Sequence, residues 1–190
     1  MATVSYKYPY YSTDESGKWI HYSETFSALI EPSQEYLENK SKESLEPTKQ
    51  YKIEELTNNC NETIINGCDV TLSDNSIEHF SLTVEDQINL SSAEQAIKNG
   101  AESFPYHCKD GSCKVYSAED IIKIISTATV FKTYQITYLN CLKEIVNSYT
   151  DYNDIYKINT IKYGDDLPDT YQEKLDNIID SMTQNMLLIK

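Results

Sequence analysis

The stretch Asn66-Gly67-Cys68-Asp69-Val70-Thr71-Leu72-Ser73-Asp74-Asn75-Ser76-Ile77-Glu78-His79-Phe80-Ser81-Leu82-Thr83-Val84-Glu85-Asp86-Gln87-Ile88-Asn89-Leu90 combines three local signals that agree. Val70 and Leu72 alternate with polar neighbours, and so do Phe80 and Leu82, which is the two-residue period of half-buried strands. Between them, Ser73-Asp74-Asn75-Ser76 supplies turn chemistry, because Asp and Asn bond their own backbone and tolerate left-handed angles. Thr83 stands three residues before Asp86, so its hydroxyl caps a helix whose first turn carries the acid near its positive end. The reading is a hairpin followed at once by a capped helix. Asp86, Gln87 and Asn89 fall at the start of that helix, where they are expected to lock hairpin to helix rather than to bind a ligand.

Downstream, the helix from Thr83 stops at Asn99-Gly100. Phe104 to Cys108 and Ser112 to Tyr116 read as a second hairpin around Asp110-Gly111, a strong two-residue turn signal. That register sets Cys108 opposite Cys113. A disulfide there is geometrically conceivable, and two free thiols are the alternative. Ser117 opens the longest helix, with an apolar face running from Ile121 through Ile124, Ile125, Ala128, Phe131, Tyr134, Tyr138, Leu142 and Ile145 to Tyr149. A shorter helix over Tyr152 to Ile158 and a last one after Leu167-Pro168 complete this half. The last helix carries Tyr171, Leu175, Ile178, Ile179, Met182 and Met186.

Upstream, Thr48 to Ile65 reads as a helix with Tyr51, Ile53, Leu56, Cys60, Ile64 and Ile65 at three- and four-residue steps, stopped by Asn66-Gly67. Pro47 ends a short polar helix over Glu31 to Glu46 and marks the boundary between an arm, 1–47, and a body, 48–190. The arm is rich in aromatics, and Tyr6, Tyr8, Tyr10, Tyr11, Trp19 and Phe26 are its candidate docking residues. Strands are expected around Tyr6 to Tyr11 and from Trp19 to Ile30, across a turn at Asp14-Glu15-Ser16-Gly17. Such a surface must lie against something, either the body or a neighbouring subunit. The expected architecture is α+β: two short hairpins packed on a helical bundle, preceded by the aromatic arm.

With 190 residues, 39% of them hydrophobic, the chain is long enough to bury a core. Its 16 tyrosines against one Trp suit an interface, or reflect a coding bias toward Tyr, Asn, Ile and Lys. A formal net charge of −14 without a basic stripe argues against a nucleic-acid partner. The first residues lack the blocks of a secretory signal and no apolar run reaches membrane-spanning length, so no membrane insertion and assembly in the cytoplasm are expected. Five cysteines, an odd number, fit free thiols better than a disulfide scaffold.

Catalytic and metal constellations are weak. His107 points away from Cys108 on an extended strand, and Cys60, Cys68 and His79 have no finger-like spacing, so no metal and no cofactor are expected. His79 should face away from the core as a hydrogen-bonded surface residue. Asp165-Asp166 and Glu85-Asp86 look like paired carboxylates, but both stand where helix caps need acids. Five glycines leave little room for a phosphate loop. No enzyme is read from these residues.

A wider pattern adds a resemblance. Asp69 to Asp74, His79 to Thr83 and Asp86 to Leu90 carry it first. Gly100-Ala101-Glu102, Tyr106-His107, Cys113, Tyr116 to Asp120, Thr137 to Asn140 and Tyr163 to Pro168 continue it in order. Together, from Lys49 to the C-terminus, the chain resembles a domain of unknown function found in phage and prophage tail-region proteins. Asn75 stands where that family usually has a turn glycine. Gln135-Ile136 replaces a more polar, often His-containing pair, so no catalytic histidine carries over. The resemblance implies a structural component of a phage tail or tail-like particle, near the baseplate or a tail fibre, present in multiple copies and docked through its arm to another virion protein. It would be made in the host cytoplasm and reside in the virion tail. The alternative is a fibre assembly factor absent from the mature particle. An envelope-acting enzyme, and a host-surface module whose Tyr8, Tyr10, Tyr11 and Trp19 stack on a glycan, are further alternatives.

Overall fold

The computed structural model describes residues 10–13, 19–22, 27–29, 44–109 and 111–187, with side chains from 44 to 109 and from 111 to 184. The chain divides into two compact units, 1–52 with 146–160 and 53–145 with 161–190.

In the first unit, β1 (Tyr10–Thr13), β2 (Trp19–Tyr22) and β3 (Ser27–Leu29) form an antiparallel sheet in that order. Thr13 pairs with Trp19 and Ile20 with Leu29. The expected antiparallel pairing is therefore present and the described part of the second run forms two strands, while the turn read at 14–17 lies outside the described residues. Of the proposed docking residues, Tyr10, Tyr11 and Trp19 stand in these strands, while Tyr6, Tyr8 and Phe26 lie outside the described residues, as does 31–43 of the polar helix. Helix α1 (Glu46–Asn66) begins in this unit and includes Pro47 in its first turn, where a missing N–H breaks no helical bond. Its inward stripe here is Leu45, Lys49 and Lys52, which leaves Tyr51, one residue off the stripe, 69% exposed. The expected apolar role of Tyr51 is thus corrected. Lys52 Nζ donates to the Asn159 carbonyl at 3.4 Å.

The second unit has the expected α+β, helix-rich architecture. Leu56, Cys60 and Ile64 continue the buried stripe of α1, while Ile65 is half exposed. Then come β4 (Cys68–Thr71) and β5 (Ile77–Phe80), antiparallel with Cys68 opposite Phe80 and Val70 opposite Glu78. Their loop closes by Asn75 N–H to the Leu72 carbonyl at 3.1 Å and Leu72 N–H to the Ser76 carbonyl at 2.9 Å. Asn75 sits at φ 67°, the left-handed position such a three-residue loop requires. Helix α2 (Val84–Lys98) follows, then β6 (Ser103–Tyr106), β7 (Lys114–Ser117) and α3 (Ala118–Ser148).

Ser117 caps α3, accepting Asp120 N–H at 3.1 Å, and Asp120 also accepts Ser73 N–H at 2.7 Å, which ties the first hairpin's turn to the helix start. Within this unit the inward face of α3 is Ile121, Ile124, Ala128, Tyr138, Leu139, Cys141 and Leu142. Tyr134, expected on that face, is 38% exposed and stacks on Tyr138 instead. Beyond α3, the chain forms a 3-10 turn (Tyr152–Asp154) and α4 (Ile155–Thr160) in the first unit, then α5 (Asp169–Leu187) in the second. Of the apolar positions expected on α5, Leu175 is fully buried and Ile178 is 40% exposed.

Candidate functional site at the junction of the two hairpins

The second hairpin differs from expectation. Its ladder ends at Tyr106 opposite Lys114, so the connection is the seven-residue loop 107–113 rather than a two-residue Asp110-Gly111 turn. Cys108 does not face Cys113 in the ladder, and both are free thiols. The loop departs because its own groups bond to the first hairpin and to the end of α1: Lys109 N–H donates to the His79 carbonyl at 2.7 Å and Lys109 Nζ to Asn66 Oδ1 at 2.5 Å. Tertiary bonds outweigh the local turn preference.

The buried faces of the two hairpins meet at aromatic rings. Phe80 stacks on Tyr106 at 6.1 Å and meets Tyr116 edge-on at 5.8 Å. Beside these rings lies Glu78, on the same strand face as Phe80. It receives Lys114 Nζ on Oε1 and Tyr116 O–H on Oε2 at 2.6 Å. Burial alone would raise this carboxyl, but the bonds from Lys114 and Tyr116 and the Lys114 charge outweigh it and hold it below its ordinary value. Tyr116 is pushed up by burial and by the same carboxylate. The Cys108 thiol lies beside this cluster and contributes to both shifts.

This carboxylate has a sign-definite effect on stability. A depressed folded value means that its contribution is complete above the ordinary value of 4.5 and is lost as pH falls through the folded value. Urea midpoints of the parent chain and Glu78→Gln should therefore differ near neutrality and converge as the pH falls below 4.5 and through the lowered folded value. A gap unchanged on acidification would remove Glu78 as the source.

On the outer face, His79 pairs across the ladder with Asp69. Its Nδ1 lies 2.7 Å from Asp69 Oδ1 and its Nε2 lies 2.7 Å from the Asn66 carbonyl oxygen, so both nitrogens face acceptors. Thr83 and Asp86 form the reciprocal cap: Thr83 Oγ1 accepts Asp86 N–H at 3.1 Å, and Asp86 Oδ2 accepts Thr83 N–H at 3.1 Å. Asp86 is buried, and its carbonyl accepts Tyr106 O–H at 3.3 Å. Gln87 donates from Nε2 to the Leu82 carbonyl at 2.9 Å and accepts Lys132 Nζ at 3.1 Å. Of the three residues read as a lock, Asp86 and Gln87 thus span hairpin and helices, while Asn89 is exposed on α2.

Asp165 is not a helix cap: its Oδ2 accepts Lys162 N–H at 2.8 Å and closes its own turn, because α5 starts only at Asp169. Tyr138 fixes that turn, donating to the Asp165 carbonyl at 2.6 Å and accepting Gly164 N–H at 3.0 Å.

One open groove of about 640 Å³ lies against the junction. Ile65 and Asn66 at the end of α1, Ser81 and Thr83 after the hairpin, and His107 to Lys109 in the loop line it. Among the described residues, no group of three or more His, Cys, Asp or Glu stands where it could hold a metal ion. Glu78 and Lys114 were not singled out from the sequence. The signal was present, since an acid two residues before Phe80 shares its inward face.

Residues 47–160 match the family model described as a domain of unknown function, DUF4376, which is more than half of the chain. The chain belongs to this family. The DUF4376 match contains α1 after its first residue, both hairpins, α2, α3 and α4, and so the whole junction. The Tyr163 to Pro168 segment and α5 fall beyond it. No curated protein and no solved structure is significantly similar to this DUF4376 chain.

Proposed function

We propose that this chain is a non-enzymatic structural component of a bacteriophage tail or tail-like particle, associated with the baseplate or a fibre and docked through its aromatic arm. The observation that carries the reading is how the conspicuous polar residues of the second unit are used. Glu78, Lys109, Lys114, Asp86, Gln87 and Asp120 each join one element to another, which makes a rigid body rather than a set of groups converging on a reactant. The tail-region resemblance supplies the setting: assembly in the host cytoplasm, neighbours among tail or baseplate proteins, and several copies per particle. No helix among the described residues is long and apolar enough to cross a membrane.

Mass spectrometry of purified particles, with sizing of the isolated protein, tests the proposal. A fixed copy number in particles is the expected result. Absence from particles, together with a soluble complex to a fibre protein, would make the chain an assembly factor instead. Normal incorporation of an arm-deleted chain with poor adsorption to cells would move the arm's role to a host glycan.

A further inference from the structure

Two of the five thiols stand apart. Cys60, Cys68 and Cys141 are buried, whereas Cys113 is exposed and Cys108 half-buried. Burial, then the neighbouring Asp69 charge, pushes the Cys68 thiol up to about 11, far from a reactive thiolate. The two accessible thiols share the loop 107–113, of which His107, Cys108, Lys109 and Gly111 line the groove.

The ends of this loop are held together, because Tyr106 and Lys114 are ladder partners. Such partners have Cα atoms about 4.5–5.5 Å apart. Inside the loop, Gly111 N–H donates to the Cys108 carbonyl at 3.1 Å, folding the chain back on Cys108. The Cys108 sulfur packs so closely over Gly111 that a Cβ there would overlap it. Cys113 follows only two residues later, a span of roughly 7 Å at most. Cys108 stands two residues after Tyr106 and Cys113 one residue before Lys114, so both thiols lie next to the paired ends of the loop.

We propose that Cys108 and Cys113 are a redox-responsive thiol pair that closes an intraloop disulfide by exchange with a low-molecular-weight disulfide. The exposed Cys113 loses its proton to solvent and attacks one sulfur of the small disulfide, expelling one thiolate. Cys108 then gives up its proton and attacks the Cys113 sulfur of the mixed disulfide, expelling the second thiolate. Both thiolates take up protons, so the protein dithiol is oxidised by two electrons and the small disulfide is reduced to two thiols. The product shifts the Cys108 sulfur relative to Glu78 and Tyr116 and reshapes the groove wall that His107, Cys108, Lys109 and Gly111 form. This inference is independent of the virion role.

The test uses the full chain, reduced and then equilibrated natively with oxidised glutathione, alkylated and mapped by mass spectrometry. The expected product is a chain two hydrogens lighter, with Cys108 joined to Cys113 and the other three cysteines alkylated only after denaturation. Cys113→Ser should form no intraloop bond. Separate glutathione adducts on the two cysteines, dimers linked through Cys113, or thiols left unreacted at equilibrium would each overturn the proposal.

Discussion

Gly67→Ala is expected to destabilise the second unit by about 3–5 kcal/mol, from left-handed strain and a steric clash together. Gly67 sits at φ 93°, between the end of α1 and the start of β4. A Cβ there would fall inside the envelope of the Phe80 carbonyl oxygen and 2.7 Å from Ser81 Cα. Both are backbone atoms of the returning strand, so no rotamer change relieves the overlap. The strand must move, and with it Phe80 and the Leu82 N–H bond to the Ile65 carbonyl. Gly100 isolates the strain term: it has φ 94°, but a Cβ there meets nothing within 4 Å. Gly100→Ala should therefore cost only about 1–2 kcal/mol. Urea denaturation of both variants checks this, and equal losses would show that the clash at Gly67 is absorbed.

Phe80→Ala should cost about 3–5 kcal/mol, through lost burial and a cavity that cannot collapse. The ring is 1% exposed and is held between Tyr106 and Tyr116. Neither tyrosine is free to fill the space, since Tyr106 O–H is bonded to the Asp86 carbonyl and Tyr116 O–H to Glu78. Val115→Ala is the control in the adjoining strand, 70% exposed and expected to change stability by less than about 0.5 kcal/mol. A loss at Phe80 no larger than at Val115 would mean that the two hairpins do not share a core.

The sequence by itself determined the features whose local signals no distant group opposes. The Thr83–Asp86 cap, the left-handed Asn75 loop, the Ser117 start of α3 and the stop at Gly67 all depend on groups within a few residues of one another. Short-range chemistry was therefore sufficient to place them. The apolar periodicity of α1 and α3 likewise placed Leu56, Cys60, Ile121 and Ile124 inward, because helical repeat and burial act on the same face.

Only the tertiary structure decided the outcomes that join distant segments. Asp110-Gly111 reads locally as a tight turn, yet Lys109 bonds to His79 and Asn66, so the loop opens to seven residues. Tyr51 reads as core, yet the stripe through Lys49, Lys52 and Leu56 leaves it outside. Glu78 reads as an ordinary strand acid, and it becomes the centre of the junction because Lys114 and Tyr116 arrive from the second hairpin. Hydrogen-bond satisfaction of a half-buried charge depends on what packs over it, and a partner more than thirty residues away leaves no mark in the local pattern.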